Sequence, residues 1–512
     1  METLFLDGNS LTIDDVVRVA SDPSIQVAIN PTAIPAIEKS AAAVACFIAT
    51  GQTAYGITTG FGAFKDRLIS LTDVEKLQEN ILLSHAVGVG PGLEPAEVRA
   101  MMLIRANTLA KGHSGVRLST LELLLALLNL NVLPVVPCKG SLGASGDLAP
   151  LAHMALPLIG KGMVDFQGKR LSTEEMFTLT GLRPIKLTAK EGLALTNGTS
   201  LMTALGTLAV REAENLYHTA NVAAALTLEA QNGTQRAFDE RIHLLRPQPW
   251  QLETAAEMRA LLKCSQMTRP DTSTNVQDAY TLRCIPQVHG AVRNTIDYAQ
   301  NVINVELNSV TDNPLLFIED PANPAVLSGG NFHGEPLALA LDFLSMALTV
   351  LGNISERRVA KLVDSANPSG TYPPFLAKNG GLNSGFMLLQ YTAAALASDN
   401  KTLAHPASLD SIPSSGNVED HVSMGANAAL HCRGVLENVN TIVSIELMCA
   451  AQAMDFRLEA DPLLKMGAGT SQAYALVRKV VPFFEHDDFY QPKLLELIEL
   501  SRKGVFAELA GL

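Results

Sequence analysis

Apolar residues recur three to four positions apart along most of this chain, a period that predicts helices far more often than strands. The segments 36–50, 72–87 and 94–129 read as helices, the last broken near Gly112 and Gly115. A very long periodic stretch covers 187–231, and further segments fit 286–309, 337–365, 379–402, 421–454 and 469–480. Periodic stretches beyond about 25 residues without caps point to coiled-coil-like packing or a large helical bundle. Strand signals are few: 164–166, 170–171 across a turn at Gly168, and 315–318, with a hairpin expected near 160–175. No repeat at roughly 20–50 residues is visible, which argues against a solenoid. The expected fold class is mainly α, a large helical assembly with a few short strands. A compositional shift near 200 divides an N-terminal region, 1–200, from long-helix and C-terminal helical segments over 201–512. Polar loops at 265–280 and 403–420 are the other hints of a boundary.

Two glycine-rich, nearly uncharged excursions interrupt this helical pattern. One places Gly51, Gly56, Gly60 and Gly62 within twelve residues; the other is the Gly/Pro-rich segment 131–150. Loops of this kind between scaffold helices most often carry function.

Composition narrows the class. Of 512 residues, 47% are hydrophobic and only 17% charged, so a disordered chain is excluded. Aromatics make up 5%, with one Trp, which leaves Leu, Ala, Val and Ile to supply the buried surface. A mean hydropathy of +0.18 suggests that much surface is hidden, for instance between subunits. The net charge of −13 gives no electrostatic footprint for nucleic acid or an anionic membrane, and neither is expected as a partner. The six cysteines include no CxxC pair and form no disulfide scaffold. The N-terminal residues are acidic where a signal peptide needs basic ones, so the cytoplasm is the expected compartment.

The segment from Gly140 to Pro150 admits two readings. One is a tight turn and helix start with Asp147 as its cap; the glycines do not follow a phosphate-binding pattern. The other is chemical. In a strained bend, the Gly146 nitrogen can attack the Ala144 carbonyl carbon. Loss of two waters then yields a five-membered imidazolone whose exocyclic methylene comes from Ser145. A glycine nitrogen carries no side-chain bulk to oppose closure, and a serine can dehydrate.

Other stretches bear on this choice: Tyr55-Gly-Ile-Thr-Thr-Gly-Phe-Gly62, Ser84-His85-Ala-Val-Gly-Val-Gly90, Gly143-Ala-Ser-Gly-Asp-Leu-Ala-Pro150, Asn197-Gly-Thr199, Gln277-Asp-Ala-Tyr-Thr-Leu-Arg283, Asn308-Ser-Val-Thr-Asp-Asn-Pro314, Gly330-Asn-Phe-His-Gly-Glu-Pro336 and Asn417-Val-Glu-Asp-His-Val-Ser-Met424. In this order they resemble the aromatic amino acid ammonia-lyase family, most of all its members that act on histidine. The resemblance covers essentially the whole chain. It implies a central bundle of long helices and a homotetramer whose active sites are each shared among three chains. It also implies a 4-methylideneimidazol-5-one group formed from Ala144, Ser145 and Gly146, with no metal and no diffusible cofactor. The implied reaction is elimination of ammonia from L-histidine to give trans-urocanate. The alternatives are a tyrosine or phenylalanine ammonia-lyase, a 2,3-aminomutase with the same group and, in another class, a non-enzymatic helical scaffold.

The resemblance also assigns roles, each beside a plainer reading. Tyr55 is the implied β-proton base, or else a loop aromatic packed on the core; Tyr280 is a second acid/base, or else a buried helix-start aromatic. Glu419 is an implied catalytic residue that also meets the substrate ring, against a solvated loop carboxylate. Arg283 would clamp the substrate carboxylate, as guanidinium geometry suits, against a structural salt bridge. Asn197 and Gln277 would support the carboxylate and the prosthetic ring; Asn197 lies mid-helix by pattern, or at a kink or cap. Phe332 would cover the ring, against ordinary loop packing. His85, in a Ser-His pair, matches the histidine members, whereas tyrosine members carry His-Leu and phenylalanine members Phe-Leu. Val418, Thr196, Ala279, Thr58 and His289 depart from the histidine pattern, and they keep the other substrates in play.

Overall fold

A computed structural model describes residues 2–50, 56–60, 64, 66–70, 73–270, 276–318, 324–365 and 370–511. Long helices dominate, as the periodicity predicts, and the chain divides into two compact units. Unit 1 comprises Met1–Leu208, Gln300–Asp342 and Pro406–Leu430; unit 2 comprises Ala209–Ala299, Phe343–His405 and His431–Leu512.

Unit 1 joins helices to small sheets. Thr3–Leu6 pairs in parallel with Gln26–Ile29, and Thr12 opens the helix Ile13–Ser21 through a reciprocal capping box with Asp15. The expected hairpin is present as Met163–Phe166 with Lys169–Ser172, and Leu133–Pro134 adds a third strand. Leu315–Phe317 pairs with Ala325–Leu327. The helical stretch 94–129 is two helices, Pro95–Ala110 and Leu118–Asn129. Gly112 forces the break: its φ is +79°, and a Cβ there would meet the Ala36 backbone at 2.7 Å. The stretch 187–231 is also divided. Glu191–Thr196 ends at Asn197, which is extended (φ −91°, ψ 115°), and a new helix covers Ser200–Ala230. Asn197 is therefore a helix end and not a mid-helix residue.

Unit 2 contains Pro249–Leu261 and Gln491–Arg502, two helices the pattern did not predict, beside segments of the longest helices. Met387–Leu403 begins eight residues later than expected, after a turn that carries Gly380, Gly381 and Gly385. Inside unit 2 the helices bury charge as well as apolar surface. Arg358 Nε meets Glu446 Oε1 at 2.6 Å with both side chains fully buried. Ser355 and Thr227 hydroxyls donate to the same carboxylate at 2.6 and 2.8 Å. His289, also fully buried, shares a 2.6 Å hydrogen bond between Nδ1 and Asn221 Oδ1. Burial, with the Arg358 charge as a smaller cause, holds its pKa well below the usual value, so the ring is neutral. Among the described residues one helix, Glu335–Leu362, is long and apolar enough to cross a membrane, and over half of its apolar window is buried.

Candidate active site

The glycine-rich segment before the helix Leu148–Ala155 is a tight bend. Gly143, Ser145 and Gly146 take φ of +84°, +52° and +79°, and the Gly146 N–H donates to the Gly143 carbonyl at 3.3 Å. A Cβ on Gly146 would overlap the Gly198 carbonyl, so this position admits only glycine. The bend is stitched to the Asn197 helix end. Gly198 N–H donates to the Ser145 carbonyl at 3.1 Å, and Asp147 N–H donates to the Gly198 carbonyl at 2.7 Å.

Asp147 stands at the N-cap of its own helix, as the plainer sequence reading expects, and its carbonyl accepts the Leu151 N–H at 3.0 Å, but its side chain makes no capping hydrogen bond there. Its carboxylate accepts the Leu201 and Met202 N–H groups, at 2.9 and 3.0 Å, at the start of Ser200–Ala230. Burial pushes its pKa up to about 7, against the lowering effect of those hydrogen bonds.

Five of the sequence-predicted residues line one cavity of about 1240 Å³: His85, Ser145, Asn197, Phe332 and Glu419. Glu419 is half-buried, and both its oxygens are engaged. Oε2 accepts the Ser414 hydroxyl at 2.7 Å and Oε1 the Ser145 hydroxyl at 3.2 Å. His85 ends the helix Val74–His85, and its Nδ1 lies 3.0 Å from the Ser84 hydroxyl. Burial lowers the His85 pKa, while the Ile81 carbonyl and the Glu419 charge act to raise it. Ala144 and Gly146 flank Ser145 and line an adjoining recess.

Asn197 is buried, and its amide donates to Asp312 Oδ1 at 3.4 Å and to the Asn313 carbonyl at 3.3 Å. Behind it Lys190 Nζ meets Asp312 Oδ2 at 2.6 Å, both side chains fully buried. Arg105 donates to the Asn197 carbonyl at 2.8 Å and to that of Ala194. Burial lowers its pKa to about 10, so the guanidinium stays charged at neutral pH. Lys190, Asp312, Arg105 and Ser414 were not anticipated. The 308–314 motif, which contains Asp312, was the only signal of this network.

Tyr55 lies outside the described residues. Gln277, Tyr280 and Arg283 belong to unit 2 and are absent from the lining of this cavity. Gln277 is exposed, and Tyr280 is 71% exposed, which removes the reading of a buried helix-start aromatic. The Arg283 guanidinium sits 4.6 Å above the Tyr280 ring, and its Nε donates to the Asp278 carbonyl at 3.2 Å. Among the described residues it forms no ion pair.

One group of metal-ligand types is present among the described residues: His333, Glu335 and His421, with ligating atoms within 4.8 Å of one another. The two imidazoles stack with planes 9° apart. Both His333 nitrogens have partners: Nε2 lies 3.3 Å from the His421 carbonyl, and Nδ1 accepts the Glu335 N–H at 3.3 Å.

The aromatic amino acid lyase family profile matches residues 11–479. Histidine ammonia-lyase of Chloroflexus aurantiacus is 56% identical over 513 residues, covering 99% of this chain and 98% of that protein. The crystal structure of histidine ammonia-lyase from Trypanosoma cruzi aligns with a TM-score of 0.91 at 39% identity, covering 100% of this chain and 95% of its own. Tyrosine aminomutase from Streptomyces globisporus aligns with a TM-score of 0.92 at 37% identity, covering 99% and 98%.

Proposed function

This chain belongs to the aromatic amino acid lyase family, and on that premise we propose that it removes ammonia from L-histidine to give trans-urocanate. The observation that carries the substrate is the placing of His85 and Glu419 on the cavity that holds Ser145. A carboxylate and an imidazole hold a substrate imidazole by charge-assisted hydrogen bonds; beside an unsubstituted phenyl ring their polar atoms would lose water without replacement. The relatives named histidine ammonia-lyase support the same choice.

The residues present fit a 4-methylideneimidazol-5-one made from Ala144, Ser145 and Gly146. The positive φ of Ser145 and Gly146 bends the chain back on itself, and the space beside Gly146 excludes a side chain. When formed, this group supplies an electrophile that makes the substrate nitrogen a better leaving group. The chain's own residues do the rest. Glu419 and His85 orient the imidazole, and Phe332 shields the prosthetic ring. Asn197 is held rigid by Arg105 and Asp312 and supports the carboxylate side. Tyr55 takes the β-proton, which requires a site that favours its phenolate, since a tyrosine is ordinarily protonated at neutral pH. Tyr280 assists proton transfer, and Arg283 with Gln277 binds the substrate carboxylate. We place these last three in the sites of neighbouring copies within a homotetramer, and the exposure of Gln277 and Tyr280 in unit 2 supports that reading.

The test compares L-histidine, L-tyrosine and L-phenylalanine under one ultraviolet assay. Urocanate from histidine is the expected product. Coumarate or cinnamate without urocanate would overturn the substrate, and a β-amino acid would show an aminomutase.

A further inference from the structure

The hydrogen bond between Ser145 and Glu419 bears on how the prosthetic group is made. Resting on the reading above, we infer that Glu419 is the acid–base that removes the Ser145 hydroxyl as water during maturation. It is thus a catalytic residue before any substrate is bound.

The carboxylate is aimed at that task. A backbone bridge places Ser414 and Glu419 side by side, with N···O distances of 2.9 and 3.4 Å. The Ser414 hydroxyl fixes Oε2 at 2.7 Å, which leaves Oε1 facing Ser145 Oγ at 3.2 Å. The other carboxylate of this loop is already committed: Asp147 Oδ2 accepts two backbone N–H groups, and its Oδ1 accepts the Ser141 hydroxyl at 3.3 Å. Charge is provided for as well. Removing the Ser145 α-proton moves negative charge onto the Ser145 carbonyl oxygen, which is the atom that accepts the Gly198 N–H at 3.1 Å. Gly198 is held where a Cβ would press within 2.6 Å of the charged Arg105 guanidinium.

The chemistry balances in two steps. Gly146 N bonds to the Ala144 carbonyl carbon. The Ala144 oxygen then leaves as water with the protons of the Gly146 and Ser145 nitrogens, giving a C=N bond from Ala144 C to Ser145 N. In the second step Glu419 Oε1 takes the Ser145 α-proton, and the electron pair forms the Cα=Cβ bond as Cβ–Oγ breaks. Glu419 returns that proton to the departing Oγ, which leaves as water. The carboxylate ends as it began, and no oxidant or reductant takes part.

Intact-chain mass during maturation tests this without substrate. Wild type should become lighter than its translated mass by two waters, about 36 Da, and Glu419→Gln by at most about 18 Da, with Ser145 oxygen retained. General acid–base catalysis by one group is worth about 100-fold or more, so any slow completion in Glu419→Gln should lag by that factor. Full loss in Glu419→Gln at the wild-type pace overturns the inference and leaves the lyase reading standing. Absence of the loss in wild type overturns the lyase reading itself. Should Glu419→Gln fail to fold by circular dichroism, Glu419→Asp and Ser414→Ala decide. Both should mature more slowly than wild type, and equal rates in both refute the role.

Discussion

Replacing Lys190 by methionine isolates the buried charge network behind Asn197. The substitution keeps most of the side-chain length and removes the cation. Asp312 then loses the ammonium 2.6 Å from its Oδ2, at a place with no exposure on either side. Breaking a buried ion pair from one side leaves an uncompensated charge and costs about 3–5 kcal/mol. Two features put the expected cost at the lower end. The Asn313 N–H still donates to Asp312 Oδ1 at 2.6 Å, and the Arg105 guanidinium still interacts with its charge. A loss of about 3 kcal/mol is roughly a 100-fold change in a local opening equilibrium. Native-state hydrogen exchange reads it directly, at the Asn197 N–H bonded to Leu193 and the Gly198 N–H bonded to Ser145.

A double variant gives the sharper test. Adding Asp312→Leu should restore most of the protection, because the unpaired charge is gone. Protection in Lys190→Met within about threefold of wild type, or a double variant no better than the single, would refute the account.

Three further outcomes follow from the site. Asp147 is pushed up to about 7 by burial, so the folded state holds its proton more tightly than the unfolded chain; its stabilising contribution is full below about pH 3.8 and is lost as pH rises through about 7. Wild type should thus lose ground to Asp147→Asn between about pH 4 and 8 in thermal melts, by a few kcal/mol, and a constant difference would show that the carboxyl ionises normally. Gly146→Ala puts a Cβ onto the Gly198 carbonyl, so a folded variant should show no two-water mass loss, and full loss would mean the bend is not required. Arg283→Lys removes the planar fork while keeping the charge; KM for histidine should rise about tenfold with kcat and melting temperature little changed, and an unchanged KM would remove Arg283 from carboxylate binding.

The apolar period made the helices legible because it reports where hydrocarbon is buried, and nearly every long helix lies where that period placed it. The same signal is silent about polar burial. The period runs unbroken through 187–231, yet the chain turns at Asn197 and Gly198 because their backbone groups are claimed by Ser145, Asp147 and Arg105 from distant segments. Lys190 and Arg105 look like solvated charges within helical patterns, and both are fully buried. Arg358 and Glu446 repeat the case in unit 2. In each, the decisive partner is far away in sequence, 122 positions for Lys190 and Asp312 and 88 for Arg358 and Glu446. A charge is stable in such a place only when that partner arrives, and no local spacing encodes its arrival. His85, Ser145, Phe332 and Glu419 could be found because each sits in a short run of unusual residues. Ser414 and Lys190 act by holding those residues in place and leave their mark in three dimensions only; Asp312 lies in the 308–314 motif, but nothing in that motif shows its pairing with Lys190.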